Sequence, residues 1–227
     1  LNIDLTVKKL KKHSNPIVLR NLTYRGADKN TIGVPSKILR EISKGAKKSN
    51  SDAKKLFDTG IIDAMRLSFY YFIPSELTGK DFEELLSGTP IFFIADEVVS
   101  KLLLNADPVL ALKLASKWKH SSFTINQSTG WLTLERLIEK YPELDFWKYN
   151  IFNLLNLASK KYKKQSDHVR YSRVKFIEAA GLNLPMAKNE AIEAAQKIGQ
   201  DHVSLSSASK KKLDPLSVIL NNSEATE

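Results

Sequence analysis

Apolar residues recur three and four positions apart along most of the 227-residue chain. That is the period of a helix with one buried face. Val34, Ile38 and Ile42 are one such stripe. Sustained period-two alternation and Asn-Gly hairpin signals are missing, so the expected fold class is all-α. Glycine and proline fall mostly between the periodic stretches and mark their ends. The pattern predicts helices over Thr6–His13, Pro16–Tyr24, Pro35–Lys44, Asp52–Phe57, Ile61–Phe72, 78–86, Pro90–Asn105, Val109–Lys119, Ser122–Lys140, Phe146–Lys163, His168–Ala180 and Pro185–Ile198. Expected caps include Asn15, Ser51, Thr78 or Ser75, Asp107, Asp145 and Asp167, and the expected stops include Gly88, Gly181 and Gly199.

Short turns join these helices into successive pairs whose starts lie about 30–40 residues apart, the spacing of helical-hairpin repeats such as HEAT. A compact bundle would use the same helices, but serial pairing favours a HEAT-like or ARM-like solenoid. Such solenoids bind along a concave face. The expected organisation is one repeat domain over 1–200 and a polar, lysine-rich tail over 201–227. The tail carries one short apolar piece at Pro215–Leu220.

Charge adds a partner class. Thirty-five Lys and Arg against 25 Asp and Glu leave a net charge of +10. That excess favours a polyanion, through steering and counterion release; a basic surface that only aids solubility is the plain alternative. There is no cysteine, which excludes disulfides and thiolate metal sites and fits a cytoplasmic setting. Neither a secretory leader pattern nor an apolar run of about 20 residues occurs, so no membrane association is expected.

Candidate chemistry is sparse. His13, His120, His168 and His202 lack ligand spacing, so no metal is expected, and no nucleotide-binding or nucleophile motif occurs. Lysine clusters recur near helix C-termini, where cations also stabilise exposed carbonyls. With Arg170 and Arg173 on one helix they would form a phosphate track. Phe92 and Asp96 stand four apart on an apolar helix. By spacing alone, Asp96 pairs with a cation of the next helix.

Several segments together resemble the DNA alkylation repair (AlkD-like) family of HEAT-like repeat DNA glycosylases, in its short form. They are LKKHSNPIVLRNLTYRG (10–26), GVPSKILREISK (33–44), LFDTGIIDAMRL (56–67) and KNEAIEAAQKIG (188–199). Each is weak alone; their order and spacing carry the likeness over nearly the whole chain. The resemblance implies a monomeric, cofactor-free protein that binds double-stranded DNA and excises N-alkylated purines. It implies Asp96 as the carboxylate that stabilises the developing oxocarbenium charge. FFIAD puts Phe92 on the aromatic position before it, and Phe176 in VRYSRVKFIEAAG matches a second cleft aromatic. Asn126 or Gln127 stands where a cleft arginine is expected, beside the substrate. Arg170, Arg173, Lys117 and Lys119 are the implied phosphate contacts.

The chain departs from the family pattern at some of these points. Both aromatic positions are Phe, which has a weaker cation-attracting face than Trp. The segment "Glu-Ala-Arg" becomes Asp63-Ala64-Met65, and a C-terminal cysteine-bearing stretch becomes SASKKK (207–212). These departures bear on catalysis more than on fold or DNA binding. Two other readings follow: a non-catalytic relative that recognises unusual DNA, and a protein-binding helical scaffold.

Overall fold

The computed structural model describes residues 1–208 and 210–223; Ser209 and the last four residues of the predicted tail lie outside the described residues. The described chain is mostly helical and forms two compact units.

The first unit comprises residues 1–110 with 206–208. Its helices are α1 (Ile3–Lys11), α2 (Pro16–Tyr24), α3 (Ser36–Ser43), α4 (Asn50–Phe57), α5 (Ile62–Ser68) and α6 (Gly79–Ser87). Local chemistry sets their starts. The Asn15 side chain accepts from the N–H groups of Ile17 and Val18, with Pro16 in the first turn where its missing donor costs nothing. Thr78 and Asp81 cap the start of α6 reciprocally. Helix α4 starts on Ser49, not on Ser51 as expected. Every residue of α5 is buried, and α1, α3 and α4 pack around it. It ends at Ser68, short of the expected Phe72.

The expected helix Pro90–Asn105 exists with a defect in its middle. Helix α7 (Phe92–Ile94) runs into a π-helical stretch at Ala95–Ser100 and continues as α8 (Lys101–Ala106). A π turn widens the helix by about one residue per turn and is frequent at functional positions.

Residues 111–205 and those from 210 onward form the second unit. It contains most of α9 (Pro108–Trp118), then α10 (Thr124–Lys140), α11 (Asp145–Ser159), α12 (Asp167–Asn183), α13 (Lys188–Ile198) and α14 (Pro215–Ser223). Helices two apart in sequence lie against each other, α10 on α12, α11 on α13 and α12 on α14. Stacked helical hairpins give that pattern. Helix α12 is central: Val169, Val174, Phe176, Ile177 and Ala180 all point into the core.

Three expectations fail here for physical reasons. Helix α11 stops at Ser159, not Lys163, and Lys161 takes a left-handed conformation at φ 50°. There the Arg173 guanidinium donates to the carbonyls of Leu157, Ala158 and Lys160, the last at 3.0 Å, and so caps the helix end. Gly181 does not stop α12. A Cβ there would lie 2.8 Å from Ile219 Cδ1, so this glycine admits α14. The tail also holds strands, β1 (Asp201–Ser204) and β2 (Lys210–Leu213), paired antiparallel. Only Val203 and Leu213 of the hairpin are buried, too little apolar patterning to read as a strand. The short apolar piece at 215–220 lies within α14.

Candidate nucleic-acid interface

Phe92 and Asp96 belong to the first unit, and both are half-buried. Asp96 lies within the π-helical stretch, beside Glu97. Glu97 accepts from Arg25 at 3.3 Å and from Arg66 Nε at 3.2 Å. Arg25 also lies 4.3 Å over the Phe93 ring. Arg66 spends its other nitrogens on the Val34 carbonyl, at 3.1 Å, and the Ser36 hydroxyl. Beneath it, Asp63 is 0% exposed. Its carboxylate accepts the backbone N–H groups of Ile32, Gly33 and Val34 at 2.7, 3.0 and 2.7 Å. Gly33 has φ +85°, and a Cβ there would meet Leu19 at 2.6 Å, so the loop needs glycine where Asp63 grips it. The Asp63-Ala64-Met65 segment therefore works through Asp63, with Arg66 beside it. The α5 carboxylate and guanidinium, three apart on an otherwise apolar helix, were the visible signal for this network.

The candidates of the second unit need correction. Phe176 is 0% exposed and packs edge-on against Trp131, ring centroids 5.1 Å apart. It is a core residue with no face open to a nucleotide. Arg173 is 5% exposed, sits 5.5 Å over the Trp131 ring and caps α11. Burial pushes its guanidinium pKa down, partly offset by Tyr162. Lys119 is buried and donates to the Ser116 carbonyl at 3.0 Å; burial lowers its amine pKa. Arg170 is held by Asp167 at 2.6 Å and by Asp201. Burial opposes its charge, but these carboxylates outweigh that and raise its pKa. None of these three cations is offered to a phosphate. Lys117 is exposed on α9, and Asn126 and Gln127 are half-buried near the start of α10.

The same carboxylates anchor the hairpin. Asp167 accepts from the Ser204 N–H at 2.6 Å, and Asp201 pairs with Lys163 at 3.1 Å. Lys211 lies 4.6 Å over the Tyr171 ring. Burial and the neighbouring Asp201 carboxylate push the Tyr162 phenol up.

No protein-family profile matches the chain. An uncharacterized protein of Listeria innocua is 33% identical over 109 residues, which are 48% of this chain and 46% of that protein. An uncharacterized protein of Listeria monocytogenes is 26% identical over 193 residues, 83% of this chain and 80% of that one. The first match thus spans about half the length of its relative. One solved structure superposes on 100% of this chain and 95% of its own, with a TM-score of 0.88 at 19% identity. It is described as a new family of proteins related to the HEAT-like repeat DNA glycosylases, with affinity for branched DNA structures. The chain has the HEAT-like repeat fold.

Within this HEAT-like fold no cluster of His, Asp and Glu fit to hold a metal occurs among the described residues. Nor is any described helix long and apolar enough to cross a membrane. Trp131 is the central aromatic of the second unit, in contact with both Phe176 and Arg173. Its placement follows from Gly130 beside it. A Cβ on Gly130 would lie 2.5 Å from the Lys119 backbone nitrogen, so α10 closes directly on the end of α9.

Proposed function

We propose that this HEAT-like repeat chain is a DNA-binding protein that takes branched structures in preference to plain duplex, and that binding rather than base excision is its work. The observation that carries this reading is the end-to-end likeness to a solved structure described as having affinity for branched DNA. The net charge of +10 supports a polyanionic partner. The enclosed Phe176 weighs against excision, because an aromatic nominated for the cleft is spent on the core. A second reading, excision of N-alkylated purines with Asp96 as the electrostatic catalyst, draws support from the half-buried setting of Asp96 in a π turn.

The test is fluorescence anisotropy with a labelled four-way junction and a blunt duplex of the same arm sequence, alongside release of alkylated purines from methylated DNA. Tighter binding to the junction without base release is the expected result. Equal affinity for both would remove the branched preference. Base release that disappears in Asp96→Asn would establish the second reading instead. Weak binding with a flat salt dependence would leave a protein-binding scaffold.

A further inference from the structure

Two adjoining cavities in the first unit share the Phe69–Tyr70 pair as a wall. One, about 220 Å³, is lined by Ser36 and Arg40 of α3, by Arg66, and by Glu97 and Lys101 of the 92–106 helix. The other, about 490 Å³, is lined by Ser43 and Lys48 on one side and by Pro74 and Leu102 on another. Their electrostatics differ. Glu97 and the buried Asp63 are together balanced by Arg25 and Arg66. Arg40 and Lys101 are exposed and carry no ion pair among the described residues. The smaller cavity is therefore net cationic. The larger combines aromatic and aliphatic carbon from Phe69, Tyr70, Phe72 and Leu102 with the polar Ser43 and Lys48, and its size falls within the roughly 300–1,000 Å³ of small-ligand sites. Phe69 and Tyr70 meet edge to face at 5.4 Å and 87°, and both rings are half-buried.

Cations beside an aromatic wall are the two elements that single-stranded nucleic acid needs: one for the phosphate, one for the base. We propose that these cavities hold one unpaired nucleotide of a DNA strand, its phosphate against Arg40 and Lys101 and its base against Phe69 and Tyr70. The inference rests on the DNA-binding reading and deepens it, since a branch point interrupts base stacking and releases an unpaired nucleotide more readily than a closed duplex does.

The test is anisotropy of a fluorescein-labelled oligothymidylate, with the junction and blunt duplex in parallel. The proteins are the wild type, Arg40→Gln/Lys101→Gln and Tyr70→Leu. The two cations are exposed, so the double variant is expected to melt like the wild type. Oligothymidylate binding should weaken about tenfold in each variant, while duplex binding stays within about twofold. Unchanged oligothymidylate affinity in a folded double variant overturns the site, as does failure of the wild type to bind the oligomer. Variant-sensitive oligomer binding without junction preference keeps the site and removes the branched-DNA reading. Thymidine monophosphate binding as tightly as the oligomer would reassign the cavities to free nucleotides and overturn the strand assignment.

Discussion

Asp63 shows how one side chain organises the first unit. It is fully buried, it satisfies three consecutive backbone donors of the 32–34 loop, and it lies 3.6 Å from Arg66. Asp63→Ala would leave those donors without an acceptor and Arg66 without one of its counter-charges. Breaking a buried charged network in this way costs about 3–5 kcal/mol. Asp63→Asn keeps the shape and one acceptor oxygen, so its loss should be distinctly smaller. Urea denaturation of both variants checks the ordering. Losses below about 1 kcal/mol for both would mean that the loop holds without the carboxylate, as at an ordinary surface position. The i, i+3 spacing of Asp63 and Arg66 was visible in the chain. Their shared target was not, because the loop they grip lies about 30 positions away and only the folded backbone brings it there.

At the scale of elements, the hairpin of β1 and β2 depends on charge more than on apolar burial. Asp167 is held below the usual carboxylate range, chiefly by the Ser204 N–H and then by Arg170. Burial pushes Asp201 up, but Lys163, the His202 N–H and Arg170 outweigh it and leave its pKa lowered. A carboxylate with a depressed folded pKa contributes stability that is fully present above its unfolded value, about 3.9, and is lost as pH falls through the folded value. The hairpin should therefore be unchanged between about pH 7 and 5 and loosen only below about pH 4. NMR cross-peaks of Val203 and Leu213 should stay fixed and then move toward random-coil positions, and Asp201→Asn should show the loosened peaks already at neutral pH. A hairpin that keeps its cross-peaks through the whole acid range would refute this electrostatic anchoring. The same chemistry explains what the sequence made legible. Helices with a cap and one apolar stripe, such as Pro16–Tyr24, were readable to the residue. Three features were not. The hairpin is fastened by side chains from α12, the π turn leaves the apolar pattern of 90–105 intact, and the end of α11 is set by Arg173 from another helix.

At the scale of the whole molecule, the proposed DNA binding turns on which cations would meet phosphates. Composition supplied the sign of the charge and its excess but not its location, because a lysine or arginine reads the same whether it faces water or caps a helix. Of the four nominated cations, Arg170 and Arg173 are engaged by protein groups and Lys119 is buried against a carbonyl, while Lys117 is exposed. Salt dependence separates these classes. Each phosphate neutralised on duplex DNA contributes about 0.9 to the negative slope of log affinity against log salt. Under the DNA-binding proposal, Lys117→Gln should reduce that slope by about one. Arg173→Ala should leave the slope alone and cost about 1–3 kcal/mol, because the carbonyls of Leu157, Ala158 and Lys160 lose their donor. Anisotropy at several salt concentrations, paired with thermal melts of the same samples, measures both quantities. A slope that falls for Arg173→Ala and stays fixed for Lys117→Gln would mean that the buried guanidinium leaves the α11 terminus to reach DNA, and with it the assignment of Arg173 to the core would fail.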